Sequence, residues 1–118
     1  MVEFALVLPI LLMLLLGVIQ FGIAFNNYLA VTDAVRAGAR QGAVARYLPP
    51  AERCPSVEDR VRESADNLDQ AKLGVTCAST FTAGEDVTVS ASYPYSINIL
   101  GMVVKSGDLT ATTTERVE

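Results

Sequence analysis

The chain has 118 residues, of which 51% are hydrophobic, a formal net charge of −4 and no histidine. That charge leaves no basic footprint for nucleic acid. With no histidine and only two cysteines, histidine-based triads, a histidine general base and Cys/His zinc sites are excluded. Mean hydropathy is +0.36, yet the apolar excess is gathered at the N-terminus, and beyond about Pro49 the composition is that of a soluble domain rich in Thr, Ser, Ala and Val.

The first element opens with MVEFALVLPILLMLLLGVIQFG. From Phe4 to Phe25 there are 22 residues whose one strongly polar member is Gln20, and as a helix they span roughly 33 Å, enough to cross a bilayer. A cleaved signal peptide needs a basic start, a shorter apolar run and a small-residue exit. This run instead begins with an acid, Glu3, so a retained span is expected. Pro9 cannot donate to the carbonyl of Ala5, which predicts a kink or loosened turn that membrane helices tolerate. Gly17 and Gly22 add points of low helical propensity.

No stop signal comes after Phe25. NNYLAVTDAVRAGARQGAVARYL continues the helical pattern, with Ala30, Ala34, Gly38 and Gly42 four apart on one stripe and Asp33, Arg36, Arg40 and Arg46 on other faces. The helix is expected from about Val2 to about Tyr47, some 65 to 70 Å, ended by Pro49-Pro50. A stripe of small residues allows close approach of another backbone, although alanine is also simply a good helix former. The chain thus divides into a long helix over 1–48, apolar over 4–25 and amphipathic over 26–48, and a small domain over 49–118.

In that domain SVEDRVRESADNLDQAKLG predicts a second, amphipathic helix, capped by Ser56, with Val57, Val61, Ala65 and Leu68 on its inner face, Glu58 and Arg62 paired, and Gly74 as its C-cap. VTCASTF and VTVSASYPY read as strands joined through TAGED, and Pro94 suggests that the second strand leaves its ladder or lies at an edge near its end. A looser apolar patch, INILGMVV, comes next. LTATTTERV alternates Leu109, Ala111, Thr113, Glu115 and Val117 against polar residues, a third strand with a wet outer face. The fold class expected is therefore α+β: a long N-terminal helix plus one helix and a three-stranded antiparallel sheet. Such a head buries little apolar surface, and the C-terminal half of the long helix is available to cover its sheet.

Cys54 precedes the second helix and Cys77 lies in the first strand. One disulfide between them is the simplest reading, stabilising by about 3 kcal/mol in the chain-entropy model and placing the head in an oxidising compartment; two unrelated buried thiols are the alternative. The orientation signals conflict. Arg36, Arg40 and Arg46 follow the span with nothing basic ahead of it, which by charge alone puts the head inside.

VEFALVLPILLMLLLGVIQFG, then DAVRAGARQGA on a long helix, then a late SYPY strand, together resemble the TadE-like pilin family of the tight adherence branch of type IV pilus systems. The Glu3–Phe4 pair heading the apolar run carries most of that likeness, and it extends over nearly the whole chain. In the wider class the resemblance implies a precursor whose basic leader is removed by a membrane-embedded prepilin peptidase, which resolves the orientation conflict in favour of a head outside. It implies storage in the cytoplasmic membrane, then extraction with the help of a membrane platform into a helical filament of identical subunits at the cell surface. The assembly residues are then Met1, Glu3, Phe4 and Pro9, with Glu3 meeting a neighbour's free amine. The class places this acid fifth and here it is third. Two residues ahead of Met1, different processing, or an initiator Met1 without a leader each account for that.

Three functions are compatible with these features. The first is a structural subunit of a Tad-type filament for adhesion or secretion; the second is a minor pseudopilin that primes or caps assembly; the third is a single-pass membrane protein with a binding head that never polymerises. No cofactor or metal is called for. An enzyme is not expected, because the best acids, Asp33, Asp59, Glu63 and Glu85, are each explained by helix faces or turns.

Overall fold

The computed structural model describes residues 1–118, and its longest axis is 70 Å against 23 and 18 Å across. One element sets that length. Helix α1 (Val2–Val44) runs without interruption through Pro9 and tightens into a 3-10 turn at Ala45–Tyr47. Its two halves differ in what surrounds them. Up to Phe25 nearly every large apolar side chain is about half exposed or more, whereas Val31, Ala34, Val35, Gly38, Ala39 and Gly42 are buried. That spacing of three and four residues is a core-facing helical stripe.

The stripe packs against helix α2 (Pro50–Ser64) and a three-stranded antiparallel sheet in the order β1 (Gly74–Ala78), β2 (Asp86–Ile99), β3 (Met102–Arg116). The architecture is the α+β arrangement expected. The second half of α1 covers the sheet, so the core cluster joins Val31, Val35, Val57, Val61, Val87, Val89 and Val117 from α1, α2, β2 and the end of the chain. Each is fully or almost fully buried, worth roughly 1.5–3 kcal/mol apiece against exposure. The other face of the sheet is wet: Ser90 and Thr112 lie opposite each other with hydroxyls 3.0 Å apart, and Thr88 meets Thr114 at 3.3 Å.

Helix α2 differs from its sequence-based bounds at both ends. It begins at Pro50, six residues before Ser56, because proline at the first helical position gives up a donor that has no helical partner there anyway. Pro49-Pro50 thus closes one helix and opens the next. Ser56 lies inside α2 and its hydroxyl donates to the carbonyl of Arg53 at 2.7 Å, so it does not cap. The helix stops at Ser64 and not at Gly74: the Gln70 side-chain amide folds back to donate to the carbonyl of Ala65 at 2.8 Å, satisfying a C-terminal acceptor that a further turn would have used. Ala65 and Leu68 are buried all the same. Arg62 turns away from Glu58 and donates to the carbonyls of Gln70 and Leu73 at 3.1 and 3.2 Å, pinning this loop to α2.

The sheet also departs from expectation. β1 ends at Ala78, and Phe81 bends out at φ 53° to be buried under the head, its amide donating to the Ser79 hydroxyl at 2.9 Å. β2 does not stop at Pro94. β1 reaches only as far as Ser92, so Pro94 has β3 on one side and no strand on the other, where its missing donor costs nothing. The strand runs on to Ile99 and, with β3, makes a hairpin of 14- and 15-residue strands, longer than the alternating segments alone predict.

Two corners are tied by polar contacts. Arg53 on α2 donates through Nε to the carbonyl of Leu48 at 3.1 Å and through Nη2 to that of Arg46 at 3.0 Å, satisfying acceptors at the end of the long helix. Val117 donates to Glu85 at 2.8 Å and accepts from Gly84 at 3.0 Å, and the Glu118 amide donates to Ala43 on α1 at 2.9 Å, so the last strand's end is held between the turn and the helix.

Candidate functional site

The expected assembly residues stand at the free end of α1. Met1 is the N-cap and Glu3 lies in the first turn, where a carboxylate complements the positive end of the helix dipole. Glu3 is exposed, has no ion-pair partner within the chain, and borders a shallow apolar groove formed by Phe4, Val7, Leu8 and Leu11. Phe4 is 78% exposed. Pro9 sits one turn above Ala5 and leaves that carbonyl without a helical donor. Nothing in the head touches this end: the most apolar 18-residue stretch of the helix has none of its residues buried.

The small-residue stripe falls in the other half of α1. Ala34, Gly38 and Gly42 face α2 and β2 of the same chain, with Ala30 only partly buried at the stripe's upper end. The contact is tight. A methyl group at Gly38 would overlap the Val61 side chain, and one at Gly42 would lie 2.8 Å from Val87 Cγ2. The backbone that these residues admit is thus α2, crossing α1 inside the head. Val31, Val35 and Ala39 widen this face beyond the predicted stripe, and their places three residues before Ala34, Gly38 and Gly42 are the signal that marks them.

Cys54 and Cys77 are joined in a disulfide with Cα atoms 5.8 Å apart, linking the first turns of α2 to β1. The four acids weighed for catalysis are all exposed; only Asp59 and Glu63 come together, one turn apart on α2 beside an open groove that Arg40 and Arg60 also line. Asp33 lies 3.8 Å from Arg36 and Glu63 3.2 Å from Arg60, both on helix surfaces, where such pairs contribute little.

The β2–β3 hairpin brings a further group of residues to α1. Ile97 and Ile99 with Tyr95 and Leu109 face Phe21, Phe25 and Tyr28 across an open apolar groove of about 580 Å³. The apolar, uncharged run INILGMVV is its signal in the sequence, but no alternation in that run fixes where it lies.

An apolar helix headed by one acid, carrying a small disulfide-bonded α+β head, is long and apolar enough to cross a membrane and suggests membrane insertion. A model of the family described as TadE-like protein matches residues 1–40, and this supports the assignment of the chain to the TadE-like pilin family. With the apolar helix, the match fits a Tad pilus-related membrane protein of a structural, non-enzymatic family. No curated protein and no solved structure matches the chain.

Proposed function

We propose that the chain is a structural subunit that polymerises through its N-terminal apolar helix into an extracellular Tad-type filament serving adhesion or secretion. The observation that carries this reading is the first half of α1, an apolar rod whose most apolar 18 residues are all left unburied by its own head. In the cytoplasmic membrane lipid covers it. Once it leaves the membrane, each large side chain again facing water costs roughly 1.5–3 kcal/mol unless neighbouring rods replace the lipid. Copies of the same chain present complementary rods, and the filament core is the place where that exchange is complete.

Glu3 then sets the spacing. A lone carboxylate among apolar helices is expensive, and an ammonium partner on a neighbouring subunit relieves the cost. A helix displaced by one turn, about 5.4 Å, leaves both charges unpaired. Met1 and Phe4 flank this contact, and the free carbonyl beside Pro9 offers an acceptor close by. The other partners of this reading are a prepilin peptidase and a membrane platform. Before assembly the head lies outside the membrane, an orientation supported by the Cys54–Cys77 disulfide, which persists in oxidising compartments.

The test is Glu3→Ala in cells that make the wild-type chain. The variant is expected to remain in the membrane fraction and to be lost from sheared surface filaments. Filaments that keep the variant at wild-type level would refute the role of the acid. Wild-type chain absent from every sheared fibre would identify a non-polymerising anchor, and its presence as a trace component a priming or capping subunit.

A further inference from the structure

We infer that the tip of the β2–β3 hairpin, Ile97 to Val104, dips into the outer leaflet of the membrane that α1 spans, so that the subunit is held in lipid by two elements before assembly. This rests on the membrane-span reading of α1 and adds a second lipid-contacting site to it.

The first observation is one of level. Ile99 lines one open apolar groove together with Met13, Leu14, Gly17, Val18 and Phe21 of α1, and all five belong to the apolar run that begins beside Glu3. If Glu3 stays at the inner headgroups, a hydrocarbon layer of about 30 Å extends to about residue 24. Gly17 then lies about 10 Å below the outer boundary. The hairpin residue that faces Gly17 across this groove is at that depth too.

The second observation is what the tip displays. Leu100, Met102, Val103 and Val104 are 69%, 72%, 62% and 62% exposed, and no charge occurs between Ile97 and Val104. The first charge, Lys105, stands with Tyr95 and Tyr28 beside Phe25 around the mouth of the groove. Tyrosines and a lysine able to extend its ammonium outward are the side chains that suit a membrane–water boundary. From that level to Leu100 the hairpin reaches about 10 Å at strand rise, which agrees with the depth obtained from α1.

The third observation is the turn. Leu100 and Gly101 have φ of 52° and 83°, the two-residue geometry that closes a tight hairpin. Asparagine or glycine is at home in the first position, whereas leucine there costs about 1–2 kcal/mol. A strained leucine that buries nothing within its own chain is accounted for when its side chain is buried in acyl chains.

The outer edges of a two-stranded ribbon carry unpaired backbone groups, which oppose deeper insertion. Within the tip Ile99 pairs with Met102 and Asn98 with Val103, and a bulge at Ile97/Asn98 turns the ribbon at the level where the uncharged segment starts. Only the tip enters, and acyl chains fill the apolar groove behind it.

The chain contains no tryptophan, so a single introduced indole reports its own surroundings. Val103→Trp and Leu100→Trp are made in the full chain, alongside Ile19→Trp in the span and Thr112→Trp on the wet face of the sheet. Each is reconstituted in phosphatidylcholine vesicles with or without acyl-chain bromination, at several protein-to-lipid ratios. The tip probes are expected to emit at shorter wavelength than the Thr112→Trp probe. Brominated lipid is expected to remove most of their emission at every ratio, as it does for Ile19→Trp. Val103→Trp supplies the result should a bulkier residue at position 100 disturb the turn. Tip probes that emit like Thr112→Trp and resist quenching, beside a quenched Ile19→Trp, overturn the inference and leave the span intact. Quenching that fades as the protein becomes more concentrated in lipid would show a second copy covering the tip, and also overturns it. An unquenched Ile19→Trp defeats the span itself, and the inference with it.

Discussion

At the scale of single residues, glycine decides how closely α1 and α2 approach. Replacing Gly38 by alanine improves helical propensity by about 1 kcal/mol. The added methyl group overlaps the Val61 side chain and touches Val57 O at 3.4 Å. Val61 is β-branched and sits within a helix, where one rotamer dominates, so its methyl groups cannot swing away. Overpacking of this kind costs about 1–3 kcal/mol, and the clash outweighs the propensity gain. Gly38→Ala is therefore expected to lower the thermal midpoint of the head in detergent. At Gly17 nothing lies within 4 Å of an added methyl group, so Gly17→Ala should leave that midpoint where it is. Equal midpoints for the two variants would show that the stripe does not set the helix spacing.

At the scale of elements, the disulfide acts on the least supported one. β1 is a five-residue edge strand paired only with β2, and the Cys54–Cys77 link closes a loop with a sequence separation of 23. The entropy of that loop in the unfolded chain makes the bond worth about 3 kcal/mol. The double variant Cys54→Ala, Cys77→Ala is expected to lose about this much in denaturant titration, with hydrogen exchange speeding most at Gly74–Ala78. Loss of protection first in β3 would show that the clamp acts elsewhere. The elements legible in the sequence are those whose side-chain period is sustained: α1, the alternation of the strands, and the inner face of α2 from Val57 to Leu68. The ends of α2 are not legible, because Pro50 signals a helix start and a helix end alike, and because the stop depends on Gln70 folding back from beyond the helix. The hairpin's reach is hidden for similar reasons. Pro94 is harmless only because β1 has already ended, and Leu-Gly stands where Asn-Gly would have marked the turn. Of the candidate site, the acid-headed rod and the cysteine pair can be read directly, since both depend on residue type and spacing; that the small stripe meets α2 depends on a tertiary crossing that no local pattern encodes.

At the scale of the whole molecule, one helix serves two surroundings, and the boundary between them can be located. No residue of the main core cluster precedes Val31. Residues 1–25 therefore contribute length and exposed apolar surface but almost no cohesion to the head, and a chain beginning at Asn26 is expected to be soluble and to unfold cooperatively at the midpoint of the full chain. One region should register the loss. Ile97, 4% exposed but outside the main cluster, packs in the groove against Phe21 and Phe25 as well as Tyr28, so faster hydrogen exchange is expected from Ile97 to Val104 and nowhere else. Deleting residues 1–42 should have the opposite effect on the whole fold. It removes Val31, Val35 and Ala39 and strips the cover from Val57, Val61, Val87 and Val89, leaving too small a core for a head of this size to hold. Circular dichroism and thermal melts of the two fragments check the argument. A shorter fragment as stable as the longer one would mean that the sheet and α2 fold without the helix, while failure of the longer one would place part of the core in the apolar rod.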